Sequence, residues 1–546
     1  MSNTQHAELW SSLSSKSRHI ETGMDALTRK RTGSYYTDLE LTDVMMAELV
    51  EHLKATNSAK KLYEYRFLEP CVGAGNFVFS YIEAVRATGL DKESAKIMLE
   101  NIYVADVNKD ALNGYKESLK EMAKLFWGIE LQEEYFEQHM GTGLLVDVTA
   151  TELNYISIEK VFSEEIVGSG FDIVATNPPY KNLKAERGHY SSDEEYGRDK
   201  DKYSVISKLV SKRFQYSTDG VLNLYKLFVE EIIDRYANET AFVSLLIPAS
   251  IMSDKTCAKL RTHMLTENKM ISVKVIGEGS GFIDTQQALS AILLQKSART
   301  DKVAVVKDYC NNPDDVAEVS VKDILNENTG NAIVAVTSKE YRVLRKLRQF
   351  PVVKELPFVN NLRGELDLTA NKRHIVTTDT CYPLLRGRNI GYYGLLATSE
   401  KEFVAEEFVN ATKKKCYIET ERIICQQIAN MNKERRVTFA LAPKNYVLGN
   451  SCNFISVSEN SYGINIYTLL GLFNTKLINW LFKLTSSNNH VNNYEIDCFP
   501  IPVDAPELQR ISALAKMFLD TQEDVILEQI EQLAYQAYGI TSSTGE

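Results

Sequence analysis

The feature that most constrains the fold is an alternation of short apolar runs with helix-length segments between residues 66 and 248. RFLEP, NIYVADV and FDIVAT are apolar runs of this kind, and FVFSYIEAVRAT is one of the helix-length segments between them. Strands separated by helices pair in parallel, because each helix returns the chain to the same end of the sheet. The pattern predicts an α/β domain with a Rossmann-like sheet covered by helices on both faces, in which ligands bind beyond the carboxyl ends of the strands.

The regular alternation ends near residue 335, and this change divides the chain. A length of 546 residues exceeds one ordinary core. We expect a polar N-terminal leader at 1–30, a first domain at 31–334, and a mixed α/β domain with closing helices at 335–546. The apolar and charged fractions, 44% and 25%, are those of globular proteins, so a disordered or fibrous chain is excluded.

The charge of the chain is unevenly distributed. The formal net charge of -11 argues mildly against a nucleic-acid partner, because phosphate is usually contacted by clustered Lys and Arg. Residues 412–444, however, contain eight Lys and Arg against three Glu. This basic excess fits either a solvated surface or a surface that binds phosphate.

The eight cysteines form no CxxC pair and no His/Cys ligand spacing. Neither a disulfide framework nor a metal site is therefore predicted, and the cysteines are expected to be reduced thiols. The N-terminus lacks an apolar core of signal-peptide length, and no apolar run reaches about 18 residues. We expect a cytoplasmic protein without membrane segments and without a metal.

The run FDIVAT ends in Asn177-Pro178-Pro179-Tyr180. Two prolines remove two backbone donors and fix an extended turn, so carbonyl groups and the Asn177 side-chain oxygen point outward as acceptors. Such acceptors suit an amino group as substrate, because the amino nitrogen of adenine is a poor nucleophile until both of its hydrogens are held. The Tyr180 ring is suited to stack on an extruded base. The alternative is a plain turn after a buried strand.

A second motif, FLEPCVGAGNF, joins a strand to a helix through Glu69, Gly73 and Gly75. Its spacing is neither GxGxxG nor a Walker loop, so phosphate binding is not indicated. Asp106 ends the next apolar run, where an acid accepts hydrogen bonds from ribose hydroxyls, and Asp147 ends LLVDV, where it suits the amino group of a bound adenine. Each acid alone is more typical of a surface cap or a turn, but the series in strand order favours a nucleoside-like ligand.

The order of GSYYT, FLEPCVGAGNF, VADVN, LLVDV and NPPY resembles the gamma class of DNA amino-methyltransferases, the TaqI type. In this class a YYT segment precedes the cofactor motif and a recognition domain follows the catalytic one. The resemblance covers most of the chain. It implies a methyltransferase domain at 31–334 that uses S-adenosyl-L-methionine, and a target-recognition domain at 335–546. It further implies site-specific N6 methylation of a flipped adenine in double-stranded DNA, in a restriction-modification or defence system.

The resemblance also assigns roles to individual residues. The cofactor would contact Tyr36, Thr37, Glu69, Gly73, Gly75, Asp106 and Asp147. The target base would be held by Asn177, Pro178, Pro179 and Tyr180, and Phe282 would pack on it unless it is an ordinary core residue. In the C-terminal half, candidates for phosphate or guanine contacts are Arg386, Arg388, Arg435 and Arg436, and candidates for reading adenine are Gln426, Gln427 and Asn430.

Other functions remain open at this point. Carbon-5 methylation of cytosine is disfavoured, because its nucleophile is usually a Pro-Cys thiolate facing the base, whereas Pro70-Cys71 lies inside the cofactor motif. A protein glutamine-amide methyltransferase also carries NPPY but is usually much shorter. A DNA-binding subunit of a multi-component restriction complex is the remaining alternative, and a separate endonuclease or defence proteins are candidate partners.

Overall fold

The computed structural model describes residues 3–23, 37–56, 58–143, 161–280, 287–326, 329–397, 401–430, 433–486 and 489–540. The chain divides into two compact units, Met1–Thr337 and Ser338–Glu546. Three of the candidate site residues, Tyr36, Asp147 and Phe282, lie outside the described residues.

Within the described residues of the first unit, nine strands form one sheet. The strands are β1 (Phe67–Glu69), β2 (Ile102–Asp106), β3 (Met140–Thr142), β4 (Phe171–Thr176), β5 (Ala237–Pro248), β6 (Lys269–Ile276), β7 (Leu289–Gln295), β8 (Lys302–Val306) and β9 (Val316–Ser320). Their order across the sheet is β3-β2-β1-β4-β5-β7-β6-β8-β9. The first five strands of this order, β3, β2, β1, β4 and β5, are parallel to one another. Strand β7 runs antiparallel to both of its neighbours.

The order β3-β2-β1-β4-β5 is that of a doubly wound sheet, so the predicted Rossmann-like α/β fold is confirmed. The chain passes from β1 to β2 on one side and later returns to β4 on the other side. This reversal opens a crevice at the carboxyl ends of β1, β2 and β4. Glu69, Asp106 and Asn177 stand at those three strand ends.

Helices cover the sheet of the first unit. They are α1 (Asn3–Gly23), α2 (Leu39–Ala55), α3 (Asn76–Arg86), α4 (Lys92–Glu100), α5 (Lys109–Trp127), α6 (Glu133–His139), α7 (Glu164–Gly168), α8 (Asp193–Arg213), α9 (Leu224–Glu231), α10 (Ser250–Ser253), α11 (Ala258–Thr266) and α12 (Val321–Ile324). The segment expected to be a polar leader therefore contains a helix, α1. Its Leu9 and Leu13 are buried, and the Trp10 indole donates to the Asp43 carboxylate over 3.0 Å.

Local sequence explains where the helices of the crevice begin and end. The Asn108 side chain accepts from the backbone N–H groups of Asp110 and Ala111 and so caps the first turn of α5. The helix ends at Gly128, whose φ of 62° is left-handed. Between these ends the apolar positions, including Leu112 and Tyr115, recur at helical spacing and are buried.

The second unit contains a four-stranded antiparallel sheet of order β10-β17-β14-β15 within its described residues. Its strands, in chain order, are β10 (Val359–Arg363), β11 (Ile375–Val376), β12 (Leu384–Leu385), β13 (Phe403–Val404), β14 (Arg422–Gln426), β15 (Phe439–Ala442), β16 (Val447–Leu448) and β17 (Cys452–Val457). The shorter strands pair as β11 with β13 and β12 with β16.

The second unit ends in a group of helices. Its helices are α13 (Ser338–Leu347), α14 (Glu406–Ala411), α15 (Lys415–Ile418), α16 (Ile466–Phe473), α17 (Lys476–Thr485), α18 (Asn493–Ile496), α19 (Glu507–Thr521) and α20 (Asp524–Ala537). Helix α19 packs on both α16 and α20. The apolar residues Leu469, Leu477 and Phe482 are buried, so α16 and α17 are core helices. Among the described helices, none is long and apolar enough to span a membrane.

Candidate active site

The catalytic candidate Asn177 directly follows β4 and is held by a distant residue. Its Nδ2 donates to Thr37 Oγ1 over 3.0 Å. The carbonyl of Thr37 in turn accepts from Asn76 Nδ2 over 2.6 Å, at the start of α3. Because the amide donor of Asn177 is bonded to Thr37, a residue 140 positions away fixes the orientation of the whole side-chain amide. Thr37 therefore orients the side-chain amide of Asn177 and connects the Asn177–Tyr180 loop to α3, the helix that follows Gly75.

The prolines and the tyrosine of this loop are also fixed in place. Pro178 and Pro179 are buried. The Tyr180 hydroxyl donates to the Leu246 carbonyl in β5 over 2.9 Å. Its half-buried ring meets Tyr225 edge to face, with the ring centroids 6.3 Å apart. The ring plane is thus set before any ligand arrives, which is a requirement for stacking on a base.

The glycine loop is tied to the end of β2 by Asp106. Asp106 Oδ2 accepts from the Gly73 N–H, and Oδ1 accepts from the Asn108 N–H, each over 2.8 Å. Gly75 has a φ of 98°, and a Cβ there would lie 2.6 Å from Tyr115 Cδ2. Only glycine therefore fits at residue 75, because a side chain would meet strain and a buried ring at once.

Two carboxyl groups with raised pKa values lie at the ends of β1 and β2. Glu69 is only 2% exposed, and its Oε2 has no hydrogen-bond partner among the described residues. Burial, together with the nearby Asp106, raises the pKa of Glu69 well above its usual range. Burial also raises the pKa of Asp106. A ligand that brings donors or a positive charge would therefore be bound favourably here.

We expect Glu69→Gln to stabilise the first unit. A carboxyl whose pKa is raised by folding binds more protons in the folded state, so its contribution to stability falls as pH rises above the ordinary carboxyl pKa. The variant should gain about 1–3 kcal/mol in unfolding free energy at pH 7, the range for relieving a buried unsatisfied group, and little at pH 4. Urea unfolding at the two pH values measures the gain.

The control for this prediction is Glu134→Gln, a change of the same charge at an exposed position of α6. It should leave the unfolding free energy unchanged within about 0.5 kcal/mol at both pH values. An equal loss of stability at pH 4 and pH 7 for Glu69→Gln would contradict the electrostatic explanation.

The Thr37→Val variant should slow the reaction of the active site without weakening ligand binding. The change removes one neutral hydrogen bond to Asn177 and keeps the buried shape of the side chain. Such a bond is worth about 1 kcal/mol, so kcat should fall about fivefold. Steady-state kinetics measure the effect, and Thr37→Ser should restore the rate. If Thr37 contacts only a cofactor, the KM for that cofactor will rise instead and kcat will not change.

One residue that sequence reasoning missed is Val107, immediately after Asp106. Val107 is 43% exposed, so its apolar side chain is accessible at the carboxyl end of β2. An apolar side chain at this strand end suits the face of a planar ring. The signal in the sequence was available, since a valine directly follows the acid that was assigned to a ribose.

The thiol of Cys71 is poorly suited to act as a nucleophile. Burial and the Asp106 carboxylate raise its pKa well above the usual range, and a raised pKa keeps the group protonated. This agrees with the prediction that Pro70-Cys71 does not serve carbon-5 methylation. No group of His, Cys, Asp or Glu that could hold a metal occurs in the described part of the chain.

The four arginines proposed to contact DNA differ in their surroundings. Arg386 forms a two-point ion pair with Glu402, with Nε–Oε2 and Nη2–Oε1 distances of 2.6 and 2.7 Å. Arg388 lies 3.6 Å from the same carboxylate and is 57% exposed. The Arg435 guanidinium lies 4.2 Å from the centre of the Tyr392 ring. Of these, Arg388 is the best placed to meet a phosphate or a base.

The prediction that Arg436 contacts DNA does not fit its position. Arg436 is 2% exposed, and its Nη1 donates to the Ser486 carbonyl over 2.8 Å. Arg422, in the same basic stretch, is fully buried. Lys414 donates to the Arg363 carbonyl over 2.6 Å. The basic excess of residues 412–444 is therefore partly internal and does not form one continuous basic face.

The fold and the strand-end residues define a Rossmann-like methyltransferase domain, followed by a second unit of different architecture. Residues 100–282 match the Eco57I restriction-modification methylase family, and residues 382–501 match the TaqI-like C-terminal specificity domain. The two matched domains are those of restriction-modification DNA methyltransferases, and the resemblance of the chain to the TaqI type is confirmed. No curated protein sequence matches the chain significantly.

Two solved structures share the fold. The Type IIL restriction-modification enzyme MmeI, determined in complex with DNA, is 12% identical with a TM-score of 0.50 and matches 97% of this chain and 79% of its own. The DrdV-DNA complex is also 12% identical with a TM-score of 0.50 and matches 94% of this chain and 60% of its own. At this identity the two structures support the fold alone.

Proposed function

We propose that this protein transfers a methyl group from S-adenosyl-L-methionine to the N6 amino group of adenine in double-stranded DNA, at a specific sequence. The observation that carries the proposal is the hydrogen bond from Asn177 to Thr37, which orients an amide oxygen beside the buried Pro178 and Pro179. An acceptor held in advance is what an amino group needs in order to become nucleophilic.

In the proposed reaction the target adenine leaves the DNA stack and enters the site beside Tyr180. Asn177 Oδ1 and the Pro178 carbonyl accept the two N6 hydrogens, while the Tyr180 ring, and Phe282 by family resemblance, pack on the base. The nitrogen forms a bond to the methyl carbon, the carbon–sulfur bond breaks, and its electron pair remains on sulfur. The extra proton on nitrogen then passes to water.

The residues at the ends of β1 and β2 fit S-adenosyl-L-methionine. The ligand has a cationic sulfonium, an amino group and a ribose diol, which match the unsatisfied Glu69 Oε2 and the Asp106 carboxylate. A carboxylate has about four acceptor sites, so Asp106 can accept from a ligand in addition to the backbone N–H groups that it already holds. When bound, the cofactor supplies an electrophilic methyl group. Val107 would cover its adenine, and Tyr36 and Asp147 remain candidates by resemblance.

We further assign catalysis to the first unit and target recognition to the second, with double-stranded DNA as the partner. Arg386, Arg388 and Arg435 remain proposed DNA contacts, and Arg436 is left out because it is buried. A separate endonuclease or other defence proteins are proposed partners on family grounds. The match to a specificity domain favours DNA over a glutamine side chain as substrate.

The test is transfer of labelled methyl from S-adenosyl-L-methionine to unmethylated genomic DNA, followed by mass spectrometry of the nucleosides. N6-methyladenine made by the wild type, and absent with Asn177→Ala, is the expected result. Label in N4-methylcytosine would show that the target base is cytosine rather than adenine. Label in protein but not in DNA would favour the glutamine alternative. Cofactor binding without any product would favour a DNA-binding subunit that has lost catalysis.

A further inference from the structure

One isoleucine is strongly exposed to solvent at one end of the four-stranded sheet of the second unit. Ile428 is 62% exposed, more than any other large apolar side chain of the described residues. Its segment is nevertheless fixed on both sides. The Val491 N–H donates to the Gln427 carbonyl, and the Ala429 N–H donates to the Asn489 carbonyl, each over 2.8 Å. Because the backbone on both sides of Ile428 is hydrogen-bonded, the exposure of its side chain is set by the fold.

The residue before Ile428 is held by an arginine. Arg363 Nη2 donates to Gln427 Oε1 over 3.0 Å, and Arg363 Nε donates to the Asn450 carbonyl over 2.8 Å. The Gln427 backbone N–H donates to the Ser451 carbonyl over 2.9 Å. The side-chain amide of Gln427 is therefore oriented before binding, with its NH2 group turned away from Arg363.

Arg388 reaches the same end of the sheet. The Gly387 N–H donates to Ser451 Oγ over 3.0 Å, and a Cβ on Gly387 would lie 3.6 Å from the Gln426 Cβ. Arg388 follows directly and is 57% exposed. Two arginines, two glutamines and one isoleucine thus lie close together at this end of the sheet, and Arg388 also lies 3.6 Å from Glu402. We call this group of residues the reading edge, and it consists of Arg363, Arg388, Gln426, Gln427 and Ile428.

The chemistry of the reading edge matches the major groove of DNA. A glutamine amide pairs with N6 and N7 of adenine, and an apolar side chain contacts the methyl group of thymine. Arginine contacts phosphate or the guanine edge. Arg363 and Arg388 supply positive charge that complements a polyanion, because the Glu402 carboxylate near Arg388 is already paired with Arg386.

We propose that the reading edge is a base-reading surface of the second unit, with Gln427 contacting an adenine and Ile428 packing on a thymine methyl group. The inference rests on the proposed function only in taking double-stranded DNA as the partner. It assigns to two residues the discrimination of A·T base pairs in the recognition sequence.

The test is selection of bound duplexes from a random-sequence library by the full chain, followed by sequencing. The wild type should enrich a motif that contains A·T pairs. Ile428→Ala and Gln427→Ala should each lose about tenfold of the preference at one A·T position, as expected for a good base contact. Val525→Ala, at a position 54% exposed in α20, is the matched control and should enrich the wild-type motif.

The outcomes separate this inference from the proposed catalytic activity. If both variants enrich the wild-type motif unchanged, or if the wild type enriches no motif, the inference is wrong. If the variants alter the motif while the labelled-methyl assay gives no product, the reading edge stands and the methyltransferase proposal fails. If the wild type makes N6-methyladenine at a motif that neither variant alters, methylation stands and the reading edge fails.

Discussion

The Asn177→Ala variant is expected to transfer methyl groups about 10²–10³-fold more slowly than the wild type, the loss found when one oriented electrostatic group is removed from an active site. The reason is that the Asn177 oxygen, oriented through Thr37, acts on the amino hydrogens only as the nitrogen becomes nucleophilic. Binding of S-adenosyl-L-methionine should stay within about twofold, because the proposed cofactor carboxylates Glu69 and Asp106 lie on other strands. Single-turnover transfer and equilibrium binding measure the two effects.

Two variants sharpen this prediction. Asn177→Asp keeps acceptor oxygens but loses the amide that donates to Thr37, so its rate should fall between wild type and alanine. Asn182→Ala changes an exposed asparagine of the same loop, whose Oδ1 accepts from Asn223, and should transfer at close to the wild-type rate. A rate for Asn177→Ala above about a tenth of wild type would remove Asn177 from the chemistry, since transition-state contacts of this kind are worth more.

The Glu365→Ala variant is expected to destabilise the second unit by about 3–5 kcal/mol, because it leaves a buried charge without its partner. The side chains of Arg422 and Glu365 are both fully buried and form an ion pair. Glu365 Oε2 also accepts from the Leu448 N–H over 2.7 Å, and the guanidinium lies 4.9 Å from the centre of the Phe454 ring. Hydrogen exchange of the amides in β14 and β17 under native conditions measures the local loss of stability.

If the unpaired charge of buried Arg422 causes the loss of stability, a second prediction follows for the same pair. Replacing both partners, as in Glu365→Leu with Arg422→Met, should restore most of the lost stability, because no buried charge remains. The exposed pair of Glu93 and Lys96 provides the control, and Glu93→Ala should cost at most about 0.5 kcal/mol. A double variant as unstable as Glu365→Ala would show that packing, rather than charge, stabilises this site.

Much of the first unit was predictable because its strands and helices are continuous in sequence. The alternation of apolar runs predicts the parallel strands, and the order of motifs places Glu69, Asp106 and Asn177 at one edge of the sheet. The antiparallel direction of β7 was not predictable, because an apolar run carries no signal of strand direction. The helical N-terminus was missed because α1 has few apolar positions, with Leu9 and Leu13 among them.

The second unit was less predictable, because its important contacts join residues far apart in the chain. Arg422 and Arg436 are counted as surface charge in the sequence, and only the folded chain shows Glu365 beside the first and Ser486 beside the second. In the same way, nothing in the stretch that contains Gln427 indicates that Arg363 holds it. The sequence shows how many charged residues the second unit contains, but only the folded structure shows which of them are exposed and available to a ligand.

The bond between Thr37 and Asn177 has a consequence for synthesis of the protein. The two residues are 140 positions apart, so at about 5–20 residues per second the ribosome needs roughly 7–28 seconds between adding the first and the second. Strand β1 is likewise made well before β4, its partner on one side. A nascent chain that ends before residue 177 therefore carries the proposed cofactor carboxylates Glu69, Asp106 and Asp147 but lacks the amide that would act on the substrate. The loop that would act on the substrate is thus completed only after the residues that would hold the cofactor have been made.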